Sequence, residues 1–143
     1  MALMFEPLRK YATFSGRARR LEYWLWQVFL TLASLALAFW LVAAMPAGWE
    51  GSSAEDLQAA YGLGGSARMA LWAIMIFSLA MILPSLAVSV RRLHDSDKSG
   101  WWVLLGLTGI GSVVLFIFFL LDGTQGPNRY GPDPKGRPAR IYG

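Results

Sequence analysis

The sequence predicts an all-α fold: a small integral membrane helical bundle with three hydrophobic segments and an irregular tail rich in Gly and Pro. Three observations carry that prediction. Of 143 residues, 55% are hydrophobic and only 15% are charged, whereas a soluble domain carries about 45–50% apolar and about 25% charged residues. Three stretches, Tyr23 to Met45, Met69 to Val90 and Trp101 to Leu121, hold no charged residue over 23, 22 and 21 positions. Each exceeds the roughly 18 apolar residues that mark a transmembrane helix, and at about 1.5 Å per residue each can cross a hydrocarbon core of about 30 Å. Finally, all thirteen Lys and Arg lie outside those stretches, where basic residues act as topology anchors. The net charge of +4 is therefore read as orientation and not as a nucleic-acid surface. A chain this apolar has ample surface to bury, which excludes disorder. Without cysteine it has no disulfide scaffold, cysteine-ligated metal site or thiol nucleophile.

One membrane domain over 1–143 is expected, and its parts follow in order. Residues 1–21 form a basic head, with Arg9, Lys10, Arg17, Arg19 and Arg20 against Glu6. Leu3, Met4, Leu8 and Tyr11 fall near helical spacing, so a short interfacial helix is expected before the break at Ser15-Gly16. The first span, 23–45, follows three arginines like a signal peptide, but its apolar run exceeds the roughly 7–15 residues of an h-region and it is read as retained. The 46–68 loop is acidic, carrying Glu50, Glu55 and Asp56 against Arg68, and Ser53 is placed to cap a short helix through Gln58. The second span, 69–90, contains Pro84, which is expected to interrupt the helix and free the carbonyl of Ala80. After the basic loop Arg91 to Gly100, the third apolar stretch, 101–121, has Gly106, Thr108, Gly109 and Gly111 at its centre. Two readings stay open there: a straight third span, or a re-entrant hairpin with arms of about 10 and 15 Å at 1.5 Å per residue. The tail, 122–143, has five Gly and four Pro from Gly123 onward and should be turns and extended chain.

Lys and Arg counts set the orientation. A triple crossing with the N-terminus inside leaves eight basic residues inside and five outside. With the tail returned by a hairpin, twelve lie inside and one outside. The N-terminus is thus expected in the cytoplasm. Trp24, Trp26, Trp101 and Trp102 mark the inner interface and Trp40, Trp49 and Trp72 the outer one, since indole rings favour those depths.

Polar residues inside the spans are assigned to helix packing. Gln27, Thr31 and Ser34 share one face of the first span, and Ser78, Ser85 and Ser89 one face of the second, with Pro84 between them. Small and hydroxylated stripes let helices in lipid approach closely and exchange hydrogen bonds. No Asp, Glu, Lys, Arg or His lies within a span, which argues against a proton- or ion-coupled carrier. Glu22 stands one residue before the first span, and it is expected to pair with Arg91 or Arg92, or locally with Arg19 or Arg20. The segment His94 to Gly100 imitates half a calcium loop through Asp95, Asp97 and Ser99, but the twelfth position, which needs a bidentate Glu, is Gly106. Lys98-Ser99-Gly100 lacks the upstream glycines of a phosphate loop, and His94 alone cannot hold zinc. His94 and Asp95 could form an acid–base pair, but no nucleophile or substrate is evident beside them. The favoured reading is a turn in which Arg91 or Arg92 pairs with Asp95 and Ser99 caps the helix from Trp101.

Three motifs stand out together: Phe14-Ser-Gly-Arg17-Ala-Arg19-Arg20-Leu-Glu22-Tyr23-Trp24, then Arg91-Arg92-Leu-His94-Asp95-Ser-Asp97-Lys98-Ser99-Gly100-Trp101-Trp102, then Gly123-Thr-Gln-Gly126-Pro-Asn128-Arg129-Tyr130-Gly131-Pro-Asp133-Pro134. In these the chain resembles the domain-of-unknown-function 805 family of small bacterial inner-membrane proteins. The 46–68 loop departs from it, as a longer insertion than many members have. The resemblance implies a multi-pass protein of the bacterial inner (plasma) membrane and no established reaction. It directs attention to Gly16, Arg19, Glu22, Arg91, Arg92, His94, Asp95, Gly100, Asn128, Tyr130 and Gly131. If the tail is cytoplasmic, the three motifs meet on one face, as a polar site or a structural cap. The expected function is non-enzymatic, structural or in contact with lipid or a partner. The alternatives are an enzyme or binding protein for a phosphorylated or lipid headgroup at that face, and an oligomeric transporter subunit. The expected partners are the bilayer, its anionic lipids, and a membrane protein or second copy. No catalytic residue, metal or cofactor is assigned.

Overall fold

The computed structural model describes residues 2–45 and 65–139. The Ser53-capped helix, Trp49 and most of the acidic loop expected from the sequence lie outside those residues. Among the described residues every regular element is helical, and one isolated bridge joins Asn128 and Gly131. Helix α1 spans Ala2–Arg9, α2 Arg20–Ala44 and α3 Ser66–Asp95; a 3-10 helix spans Gly100–Leu107 and α4 Gly109–Leu120. With 25 and 30 residues, α2 and α3 are about 37 and 45 Å long, long and apolar enough to cross a membrane. Their outer surfaces fit that solvent. Leu32, Phe39 and Val42 on α2 and Ile76 and Leu79 on α3 are more than 60% exposed, a density of bare apolar side chains that water does not tolerate but lipid does.

Contacts divide the chain into two compact units, residues 1–28 with 82–143 and residues 29–81. In the second, α2 and α3 contribute their residues 29–44 and 66–81, and Ala67 and Ala70 are buried. Thr31, Ser34 and Ser78, assigned to helix packing from the sequence, are exposed there. A hydroxyl on a helix can bond the carbonyl one turn back and so needs no partner helix; Ser89 does this, donating to Ser85 O at 2.7 Å.

The first unit holds α1, the start of α2, the end of α3, the third apolar stretch and the tail. Glu6 clamps α1 through Arg9 and Lys10 at 3.5 and 3.1 Å, and Gly16, at φ 85°, turns the chain toward α2. Gln27, Ser85 and Ser89 are half-buried and Pro84 is buried. Helix α3 runs through Pro84 without a break, which corrects the expected interruption: neighbouring turns hold the helix across one missing donor. Trp26 is fully buried, its indole donating to Ser85 Oγ at 3.1 Å. It is a core residue and not an interface anchor, because its ring fills the packing while its N–H finds a partner. Trp101 and Trp102 are exposed and Trp24 is half-buried.

The third apolar stretch is a hairpin. Ser99 caps the 3-10 helix by accepting from Trp101 N at 3.5 Å. The chain then turns at Thr108, whose backbone is extended (φ −110°, ψ 143°). Thr108 Oγ1 donates to Leu105 O at 2.9 Å and accepts from Gly111 N at 3.1 Å, so one hydroxyl ends one arm and starts the other. The arms pack together: Trp102 lies edge-on to Phe118 at 5.7 Å, and Lys98 Nζ sits 4.4 Å from the same ring. At about 2.0 Å per 3-10 residue and about 1.5 Å per α residue, the arms reach about 16 and 18 Å, half of a hydrocarbon core. Helix α4 packs on the start of α2 through Phe119 against Tyr23 at 4.4 Å and Phe116 against Trp24 at 5.7 Å.

Candidate functional site

The last turn of α3 gathers the polar residues of all three motifs. Asp95 is the centre. Its side chain is 2% exposed and each carboxylate oxygen has a guanidinium: Arg17 Nε donates to Oδ1 at 2.9 Å and Arg92 Nη1 to Oδ2 at 3.0 Å. Its backbone carbonyl accepts from Thr124 N at 2.8 Å and Thr124 Oγ1 at 3.2 Å. Gly123 passes so close that a Cβ there would fall on the Asp95 carboxylate.

Arg17 ties the head to the tail as well as to α3. Its Nη1 donates to Gly126 O at 2.8 Å and its Nη2 to Thr124 O at 2.6 Å, with Asp133 3.9 Å away. The rigid fork of a guanidinium suits such divergent acceptors. Arg92 donates a second bond to Leu121 O, closing the end of α4 onto α3. Arg19 donates to Pro134 O. Glu22 forms a separate buried pair with Arg91 at 2.7 Å, and Arg91 O accepts from Ala18 N at 3.0 Å. Arg91 Nε and Nη2 and Arg92 Nε are buried without a hydrogen-bond partner.

His94 is 9% exposed. Its ring stacks on Tyr130 at 3.7 Å and 4°. Its Nδ1 lies 3.2 Å from Gly16 O, and because a carbonyl only accepts, the proton is on Nδ1. Asn128 Nδ2 donates to His94 O at 2.9 Å and to Thr124 Oγ1 at 3.0 Å, while its Oδ1 accepts from Tyr130 N at 2.9 Å. One amide side chain thereby holds the turn of the tail against α3.

At the rim, Asp122 accepts from Lys135 Nζ at 2.6 Å and Arg137 Nη1 at 3.0 Å, with Arg20 Nε 3.6 Å away. The Lys135 ammonium holds its carboxyl down at about 2. Arg137 also donates to Asp133 at 2.7 Å; burial pushes the Asp133 carboxyl up, but this bond and Lys135 N outweigh it and leave it below the usual range.

The structure therefore brings together Arg19, Glu22, Arg91, Arg92, His94, Asp95, Asn128 and Tyr130 at one end of the first unit. Sequence reasoning left Arg17, Gly123, Thr124 and Asp133 out of that group, although all four stand inside the motifs. Chemically the centre of the cluster is closed, with Asp95 facing Arg17 and Arg92 and Glu22 facing Arg91, while His94 and Tyr130 edge one cleft and Arg19 another. Among the described residues no group of three His, Asp or Glu could hold a metal ion.

The family described as protein of unknown function (DUF805) matches residues 11–132. Two inner membrane proteins of Escherichia coli K12 are similar along nearly their whole length. YhaI is 41% identical over 129 residues, 90% of this chain and 91% of the relative. YhaH is 36% identical over 132 residues, 92% and 94% of the two chains. The uncharacterized protein YiiR of the same strain is 28% identical over 148 residues, 85% of each. No solved structure matches the chain.

Proposed function

The chain belongs to the DUF805 family, whose relatives here are inner membrane proteins of unknown function, and on that premise we propose that it is a non-enzymatic membrane component whose three motifs form a structural cap on the cytoplasmic face. The occupancy of Asp95 carries this reading. Both of its carboxylate oxygens are engaged by Arg17 and Arg92 at 2% exposure, which leaves this carboxylate closed to a substrate. A headgroup site at Arg91, Arg92, His94 and Asp95 would need those side chains accessible, and all four are buried.

Buried ion pairs add little net stability, but breaking one costs about 3–5 kcal/mol because a charge is left unpaired. The cap thus fixes which segments meet more than it adds to stability. Its orientation rests on the positive-inside rule, with twelve Lys and Arg on the capped side and one opposite. The bilayer is the first partner, and an excess of basic residues on one face favours anionic lipid at about 1 kcal/mol per residue near the surface.

Asp95→Asn tests the cap. The thermal midpoint of the detergent-solubilised protein should fall by many degrees, and proteolysis should remove the tail first. A variant that keeps its midpoint and a protected tail would overturn the reading.

A further inference from the structure

Outside the cap, a cleft of about 520 Å³ opens between the start of α2, the end of α4 and the tail. Arg19, Arg20 and Lys135 line it together with Leu21, Trp24 and Leu120. We infer that this cleft is a binding site for the phosphodiester of an anionic phospholipid, with the first carbons of an acyl chain lying over Trp24 and Leu120.

Charge is the first argument. The carboxylate beside the cleft, Asp122, is already shared by Arg20, Lys135 and Arg137, and Arg19 is held by a neutral carbonyl. Positive charge is therefore left over, and Arg20 and Lys135 keep 43% and 29% of their side chains accessible. The first turn of α2 begins at Arg20, so the positive end of the helix dipole adds to the same field. A zwitterionic headgroup would bring its own cation into it.

Depth is the second argument. Arg20 and Leu21 directly precede the charge-free stretch from Tyr23, and Leu120 closes the one that ends at Leu121. The cleft thus changes from guanidinium and ammonium to indole and leucine across the plane where headgroup gives way to acyl chain. A free phosphate would use only the upper half; a lipid uses both. Lys135 lies just beyond the residues matched by the family, 11–132.

The inference deepens the lipid contact of the proposed function and rests on the capped end lying at a membrane interface. The test is native mass spectrometry of the full chain in detergent, with phosphatidylglycerol and phosphatidylcholine of identical acyl chains and with soluble glycerol phosphate. Phosphatidylglycerol should be retained about tenfold over phosphatidylcholine, and the double variant Arg20→Gln, Lys135→Gln should remove that preference. Asp122→Asn should raise phosphatidylglycerol retention several-fold, a gain that misfolding cannot produce. Equal retention of the two lipids by the wild type overturns the inference, as does a double variant with its preference intact. So does glycerol phosphate binding as tightly as the lipid. Lost lipid preference beside a destabilising Asp95→Asn removes the site and leaves the cap; the reverse removes the cap and leaves the site.

Discussion

Arg17 shows how much of the architecture a single side chain can hold. Its side chain is 1% exposed, and it bonds the Asp95 carboxylate, the Thr124 carbonyl and the Gly126 carbonyl. Lysine would keep the charge but not the fork. Arg17→Lys should therefore cost about 3 kcal/mol, as unpaired carbonyls and a loosened Asp95 outweigh the retained attraction. The thermal midpoint in detergent reads this, and a shift no larger than that of an exposed Arg9→Lys control would refute it. Gly123→Ala tests the same contact from the other side. The added methyl meets the Asp95 carboxylate, a group already fixed by two guanidinia, and the overpacking should cost about 2 kcal/mol or more. A well-folded alanine variant with an unchanged midpoint would show that the tail can retreat. The Glu22–Arg91 pair was legible in the sequence because both stand at the same depth beside charge-free stretches. The role of Arg17 was not: its partners are 78 to 109 residues away, and no periodicity links positions so distant.

At the scale of elements, length and the absence of charge were enough to find α2 and α3; α2 starts before its predicted span and α3 runs past both ends of its own, because Arg20, Arg91 and Arg92 are helical too. The hairpin was half legible. Glycines at 106, 109 and 111 signal a break but also occur in straight helices, and what decides is the capping hydroxyl of Thr108 between two arms that pack on each other. Pro84 misled for the opposite reason: a local rule predicts a break, while a buried position between packed turns keeps the helix whole. Thr108→Ala removes the shared cap, and substitution of a cap of this kind costs about 1 kcal/mol. Because the loss is local, hydrogen exchange should accelerate at Gly111 before it does in α3. Exchange that stays uniform would mean that packing of Trp102 on Phe118, and not the cap, holds the hairpin.

At the scale of the whole molecule, head, middle turn and tail close on one another within a single unit, through Arg17 to Gly126 O, Thr124 N to Asp95 O and Lys135 to Asp122. One consequence is a dependence on acid. The Asp122 carboxyl lies at about 2 in the folded protein against about 3.9 when free, so the unfolded chain takes up the proton first. The contribution is therefore whole above about pH 4 and fades as pH falls toward 2. The wild-type midpoint should drop across that window more steeply than that of Asp122→Asn; parallel curves would remove the clasp from the account. The other consequence is topology. Segments that bond one another lie on one side of a membrane, so on the proposed orientation the third apolar stretch enters and returns on the capped side, and the start of α3 is expected opposite. The chain has no cysteine, so each introduced thiol is unique. Arg129→Cys, at an exposed position of the tail, should react with an impermeant maleimide only after the cells are opened. Ser66→Cys, exposed at the start of α3, should react in intact spheroplasts. Labelling of both from outside would make the last stretch a full crossing and separate the tail from the face that carries Arg17.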